Sequence, residues 1–437
     1  MTFSYDVVPY ESKPNESAHP APMALVARLF GLAAAAPSTA RVLELGCGNA
    51  ENLVAAASYL PEATFVGVDL AERAIALGRT TAEAAGTPNV TLHHRDVRDL
   101  LPSPLGTFDF VIAHGLYSWV PEAVRADALK VMQAALAPTG VGFLSFNALP
   151  GWELSRTLRE LARHATRNIE GPDAKVEHAL ALMQTLAQAG QRQHDLVGAL
   201  AGHATVWLEH VERALPPDAP FSWYVFHDLL AECNDPFSVP EMDRRLGEAG
   251  LRRVAEIPLF DARFGPNFGD MTATMEATGL PFAQLLVCRD DARPSDTVLA
   301  AAALAMVAQG NADAENVIAK WRAGEVRLAA EAPPIVASSA VGDTPRVPTH
   351  VRNKAARAVH DNVSGAILTS GLHTSYVVPW AELVVVRELD GATSRETITA
   401  RVAETLVGKQ GLAAARVARH VEGVITKLAG HGFMVKG

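Results

Sequence analysis

An apolar strand that runs straight into a glycine turn, with an acid at the tip of the next strand, leaves a chain few ways to fold. Residues 43–52 read LELGCGNAEN, and Asp69 ends the run FVGVD. Arg41–Leu45 reads as a short strand. Gly46 and Gly48 permit backbone angles closed to other residues and let a ligand approach the main chain. Residues 53–58 continue as helix, whose free amides and dipole favour the electron-rich end of a ligand. Asp69 follows at about the interval of an acid that holds ribose hydroxyls. Together these parts predict a nucleotide-shaped pocket at the carboxyl edge of a parallel sheet.

The wording of the turn narrows the ligand. A dinucleotide site wants a small residue three places after Gly48, so that a pyrophosphate can rest on the helix. Position 51 is Glu, and a carboxylate there repels phosphate. S-adenosylmethionine has no phosphate, and Glu44 and Glu51 suit its ammonium and sulfonium. Three further strands follow in order: Val90–His94 ending at Asp96, Phe108–Ala113 leading into His114, and 141–146 followed by Asn147. Helical stretches at 71–85 and 122–136 separate them, so right-handed crossovers and a doubly wound sheet are expected. Asp96 is placed to accept from an adenine amino group, with Val97 as apolar packing. The candidate cofactor residues are Tyr10, Glu44, Gly46, Cys47, Gly48, Asn52, Asp69, Leu70, Asp96, Val97 and His114.

With these parts in order, the chain resembles a class I S-adenosylmethionine-dependent methyltransferase. The resemblance covers strands one to five. It implies a Rossmann-like α/β fold with a seven-stranded methyltransferase sheet. Ala50 departs from the pattern, because many members carry a third glycine there. A narrower resemblance rests on YDVVPYESKP (5–14), AHP (18–20), ARLFGL (27–32), FDFVIAHGLYSWVP (108–121) and SFNALPGW (145–152). These phrases are similar to bacterial methyltransferases with a so-called regulatory domain, a group that includes the rickettsial protein-lysine methyltransferases. WYVFHDLLAECNDPF (223–237) looks like the start of that regulatory segment.

The organisation is read as follows. Residues 1–22 form a polar lead that either folds over the cleft, with Tyr5 or Tyr10 towards the ligand, or packs as a surface arm. Residues 23–152 are the cofactor-binding core. Residues 153–220 are a helical insertion capping the cleft, with helices at 152–168, 175–189 and 196–214. Residues 221–290 supply a helix at 239–249, opened by Ser238 and Pro240, and strands at 251–258 and 282–289 that complete the sheet. Residues 291–347 hold an alanine-rich helix at 297–309 and a Pro/Ala/Ser linker. Residues 348–437 are a mostly helical, winged-helix-like domain: helices at 352–359, 380–389, 397–407 and 413–428, then a strand at 430–435.

Composition sets outer bounds. At 437 residues, two or three domains are expected. A net charge of −10 argues against a nucleic-acid partner. Three scattered cysteines make no disulfide framework, and no His or Cys cluster has metal-ligand spacing. The polar opening and the lack of a long apolar run predict a cytoplasmic protein without membrane insertion. The sequence leaves the oligomeric state open.

The acceptor chemistry falls to the ends of strands four and five. His114 is the candidate general base, with a structural bond to a carbonyl as the plain alternative. Tyr117 and Asn147 complete the catalytic candidates, and Asn147 could equally cap the following turn. Trp119, Trp152, Tyr224, His227 and Asn234 are candidates for the substrate side. Aromatic faces attract cations, so an amine acceptor would account for them, although tryptophans also serve as core anchors. Three functions compete: a protein-lysine methyltransferase, a small-molecule N- or O-methyltransferase, and a non-catalytic S-adenosylmethionine-binding regulator.

Overall fold

The apolar runs pair into one seven-stranded sheet. The strands are β1 (Arg41–Leu45), β2 (Thr64–Asp69), β3 (Val90–His94), β4 (Phe108–Ala113), β5 (Leu136–Asn147), β6 (Leu251–Glu256) and β7 (Phe282–Arg289). Their order is β3-β2-β1-β4-β5-β7-β6. The first five are parallel, and β7 is antiparallel to both β5 and β6. This is the Rossmann-like methyltransferase sheet expected from the sequence. The computed structural model describes residues 5, 8–10, 12–101, 105–189, 196–214, 222–257, 260–261, 265–266, 280–292, 341, 345–361, 363, 365–369, 375–410, 414–430 and 433–434. The helix expected at 297–309 and most of the linker lie outside the described residues.

Period-two alternation divides the core between the two faces of the sheet. Val42, Phe110, Phe143 and Leu286 point to one face and pack with Met23, Leu53 and Ile75. Their neighbours Leu43, Val111, Leu144 and Leu285 point to the other and meet Leu129, Met132, Met242 and Leu246. The covering helices on the first face are α1 (Pro20–Leu29), α2 (Glu51–Ala57) and α3 (Glu72–Ala85). On the second face lies α4 (Glu122–Ala135). The helix is one residue shorter than expected, because Leu136 is buried and pairs with Phe108 before a register shift in β5.

A cap with its own small core follows β5. It comprises α5 (Glu153–Thr166), α6 (Pro172–Ala189), α7 (Leu196–Ala214) and α8 (Ser222–Val225), the last continuing as a π-turn over Phe226–Leu230. Leu158, Met183, Trp207, Val211, Trp223 and Leu229 fill its interior. Then α9 (Val239–Glu248) returns to the second face. Its N-terminus is capped by Ser238 Oγ, which accepts from Glu241 N, and Pro stands in its first turn.

The C-terminal region is mostly helical: α10 (Thr349–His360), α11 (Trp380–Val386), α12 (Arg395–Gln410) and α13 (Ala414–Gly430). A hairpin of β8 (Gly365–Thr369) and β9 (Ser375–Pro379) sits after the first helix. The expected strand at 430–435 is not formed among the described residues. Gly430 belongs to α13, and Phe433 and Met434 are plugged into the core of this region. Burial of two large side chains on adjacent positions suits an irregular plug better than an alternating strand.

This region docks on the seven-stranded fold far from the strand tips. The Tyr59 hydroxyl donates to Phe433 O at 3.4 Å, and Asn353 Nδ2 donates to Ala84 O at 3.0 Å. Tyr59 and Ala84 lie where α2 and α3 end. Both helices start at the carboxyl edge of the sheet and run back, so the contact is at the amino edge. No helix among the described residues is long and apolar enough to cross a membrane.

Candidate active site

The site forms where β1, β2, β4 and β5 end. Gly46 (φ +72°) and Gly48 (φ +54°) both lie in the left-handed region. A Cβ on Gly46 would stand 2.9 Å from Leu116 Cδ1, so backbone angle and space both exclude a side chain there. Ala50 shares the geometry at φ +58°, at a cost of about 1–2 kcal/mol for a residue with a Cβ. The departure at position 50 therefore keeps the shape of the turn and carries strain instead.

Asp69 fixes the turn from the neighbouring strand. Its Oδ2 accepts from Gly48 N and its Oδ1 from Ala71 N, both at 2.8 Å. Leu70 beside it is 43% exposed, an apolar face at the strand tip. Cys47 points the other way: a Cβ on Gly67 would meet its Sγ at 2.7 Å. Burial holds this thiol well above its ordinary pKa, and the backbone of Cys47 braces the turn, its N–H donating to Val68 O at 3.1 Å and its carbonyl accepting from Ala50 N at 2.8 Å. Val97 is buried, and Asp96 caps its own turn through Arg98 N at 2.9 Å while pairing with the Arg98 guanidinium.

Glu44 is the unusual group. It is buried, and Asn52 Nδ2 donates to its Oε1 at 3.2 Å. Its Oε2 meets no donor among the described residues. Burial lifts its pKa to about 8, opposed by the Asn52 bond and helped by the nearby Asp69 carboxylate. An orphaned acceptor beside a second carboxylate fits a ligand carrying an ammonium and a sulfonium. It does not fit a pyrophosphate.

The lead crosses this turn, through residues the sequence reading did not single out. Ser12 Oγ donates to Asn49 Oδ1, and Asn15 N donates to Asn52 Oδ1 at 3.2 Å. Tyr10, expected at the cofactor, instead packs edge-on to Trp223 with ring centres 4.8 Å apart. Tyr5 stacks on His227 at 4.3 Å. The tyrosines therefore tie the lead to the cap, while Ser12 and Asn15 reach the glycine turn. A polar run between Tyr10 and Pro20 was the available signal, and the tyrosines outshone it.

His114 stands at the end of β4. Its Nδ1 lies 3.0 Å from Ser145 Oγ, which also accepts from Gly115 N at 3.0 Å. Asn15 Nδ2 approaches its Nε2 at 3.4 Å. Burial pulls its pKa down to about 4, so the ring is neutral near pH 7. Ser145 was another missed residue; a lone hydroxyl in the apolar run VGFLSF was its signal.

Asn147, two residues beyond Ser145, is 1% exposed. Its Nδ2 donates to Asn234 Oδ1 at 2.5 Å, and Asn234 Nδ2 donates to Asp228 O at 3.1 Å. That chain fixes both amides, and no donor reaches Asn147 Oδ1 among the described residues. The loop bearing Asn234 is held by Arg163 Nη1, which donates to Ala231 O and Glu232 O at 2.7 and 3.0 Å.

The other candidates take different places. Tyr117, expected to be catalytic, is 1% exposed and packs on Phe237 in the core at 5.2 Å. It has little access to the cleft. His227 Nε2 donates to Val8 O at 2.7 Å, and burial lowers its pKa to about 4. Its Nδ1 is buried without a partner among the described residues, as is Nε1 of Trp152 at the start of α5. Tyr224 lies against Trp223 in the cap, and Trp119 sits in the turn after β4.

Known proteins are similar to this chain in sequence and in fold. Residues 42–140 match a family described as a methyltransferase domain. The uncharacterised protein RP028 of Rickettsia prowazekii is 34% identical over 232 residues, covering 53% of this chain and 88% of that protein. RP789 of the same organism is 31% identical over 232 residues, but the match spans only 42% of its length. The solved structure of PKMT2 from Rickettsia typhi in complex with AdoHcy superposes with a TM-score of 0.78 at 20% identity. That superposition covers 98% of this chain and 100% of PKMT2, and it shows a shared fold.

Proposed function

We propose that this chain, which belongs to the class I S-adenosylmethionine-dependent methyltransferases, transfers a methyl group to an amine nitrogen, and that the amine is a protein lysine side chain. The carrying observation is the Asn147–Asn234–Asp228 chain, which leaves Asn147 Oδ1 as a fixed acceptor at the end of β5.

S-adenosylmethionine supplies an electrophilic methyl on a sulfonium, so the leaving group needs no acid. The residues then have to hold the nucleophile and exclude water. Glu44, Asp69 and the Gly46–Gly48 backbone are suited to hold the cofactor's charged and ribose parts. A lysine must arrive neutral, although its free pKa is about 10.4. With a pKa near 4, His114 is too weak a base to strip an ammonium. Its role is better matched to orienting: a neutral amine has two N–H groups, and His114 Nε2 and Asn147 Oδ1 are two acceptors on adjacent strand ends. Donating to both would leave the nitrogen lone pair for the methyl. Desolvation beneath the cap lowers an amine pKa and favours that neutral form.

A carboxylate acceptor has no hydrogen to offer these groups, which disfavours carboxyl methylation. The similarity to rickettsial protein-lysine methyltransferases in the lead and in residues 223–237 supports lysine over a small amine. The test is to incubate the enzyme and methyl-labelled cofactor with extract of its host. Methyl-lysine in hydrolysed protein is the expected result. Label confined to small molecules would replace this reading with a metabolite N- or O-methyltransferase.

A further inference from the structure

We infer that Asn15, in the N-terminal lead, is a positioning residue of the active site: its side-chain amide sets which ring nitrogen of His114 carries the proton. The inference rests on the acceptor-side role of His114 proposed above.

The orientation of the Asn15 amide is determined locally. Its Oδ1 accepts from Ala18 N at 3.2 Å, capping a single 3-10 turn over Glu16–Ala18. The NH2 group therefore faces the strand ends. One hydrogen goes to Gln284 Oε1 at 3.1 Å, and the other points to His114 Nε2 at 3.4 Å. Gln284 cannot turn its amide freely, because its Nε2 donates to Ile257 O at 3.4 Å. A ring nitrogen facing a donor carries a lone pair, so the His114 proton resides on Nδ1 and is donated to Ser145 Oγ.

The 3.4 Å contact is longer than an ordinary N–H···N bond. A closer N–H from an acceptor amine can take the same lone pair without changing the tautomer. Asn15 thus keeps Nε2 an acceptor until the nucleophile arrives. Its backbone N–H meanwhile donates to Asn52 Oδ1, and Asn52 Nδ2 donates to Glu44 Oε1. One residue of the lead therefore touches the networks on both sides of the cleft.

The test is long-range ¹H–¹⁵N spectroscopy of the full chain with labelled histidine, with His114→Ala assigning the signal. In the parent protein, His114 is expected to be protonated at Nδ1. Asn15→Asp keeps an oxygen for the Ala18 cap and a backbone N–H for Asn52, but replaces the donor with an acceptor. The proton should move to Nε2, while affinity for S-adenosylhomocysteine, read by calorimetry, stays within about threefold. Asn15→Ser keeps the cap and loses the donor, and should give a mixture of tautomers. A parent ring protonated at Nε2, or both variants retaining a pure Nδ1–H ring, would overturn the inference. Turnover of His114→Ala separates the two claims. Unimpaired turnover with a tautomer switch in Asn15→Asp sinks the functional role of His114 and leaves the assignment of its proton.

Discussion

The two sides of this cleft, proposed above for the cofactor and for the acceptor, are built by different means. Glu44, the glycine turn, Asn52 and Asp69 come from one strand–turn–helix–strand passage, and much of what they present is backbone. The acceptor side takes Asn15 from the lead, His114 from β4, Ser145 and Asn147 from β5, and Asn234 from the loop after the cap. It presents side chains, each oriented by another side chain. A backbone site is set by local angles and tolerates variation around it. A side-chain site depends on every member of its network, and a single truncation should spread further.

That difference can be broken by experiment, starting with the largest effect. Asn147→Ala should lower turnover by about 100-fold, near 3 kcal/mol in the barrier. Affinity for S-adenosylhomocysteine should hardly change. An equal loss of both would mean that the two sides are one network. Asp69→Ala should weaken cofactor binding by about 30-fold, since bonds to a charged group contribute about 1.5–3 kcal/mol. Calorimetry on the folded variant would expose an error here if the affinity were unchanged.

The two sides also carry opposite pH signatures. Glu44 on the cofactor side has its pKa raised to about 8. Its contribution is complete below pH 4.5 and is lost as pH rises towards 8, because the folded state holds a proton that the unfolded state releases. His114 at the end of β4 and His227 in the cap are lowered to about 4. Their contribution is complete above pH 6.5 and is lost as pH falls towards 4. Denaturation midpoints across pH 4–8 should show both slopes. His227→Gln keeps a donor for Val8 O and should remove about 1–2 kcal/mol of the loss between pH 6.5 and 5. Glu44→Gln should flatten the alkaline limb, and an acid limb flattened by that variant instead would reverse the assignment.

The smallest effect belongs to the turn. Ala50→Gly releases left-handed strain and adds chain entropy to the unfolded state, for a net gain of about 0.5–1 kcal/mol. Thermal unfolding should register a rise in Tm of a few degrees at most. A fall would mean that the Ala50 methyl, which is fully buried, contributes more by packing than its angle costs.

The C-terminal region gives a second contrast with the cap. Both are helical, yet the loop leaving the cap is tied to the end of β5 through Asn234 and Asn147, and the C-terminal region docks at the amino edge, through Tyr59 and Ala84. Grip on a protein acceptor from that edge would have to reach around the fold.

Local rules were enough for the cofactor side. Alternating apolar strands, left-handed glycines and an acid at a strand tip each follow from backbone sterics and period-two burial, which neighbouring residues impose. The parallel, doubly wound character of the sheet followed too, because right-handed crossovers leave few alternatives, while the order of its strands came from the structure. The acceptor side was only partly legible. His114, Asn147 and Asn234 stood out by position, but the bonds that turn their acceptor atoms were not readable. Nor were Asn15, Ser145 and Gln284, whose importance arises from contacts spanning 30 to 269 positions of chain. Tyr10 and Tyr117 looked functional by type, and packing drew one to the cap and the other into the core. Angles and burial patterns are properties of a segment. The direction in which an amide or an imidazole offers its lone pair belongs to whatever the fold brings against it, and here only the tertiary structure decided that.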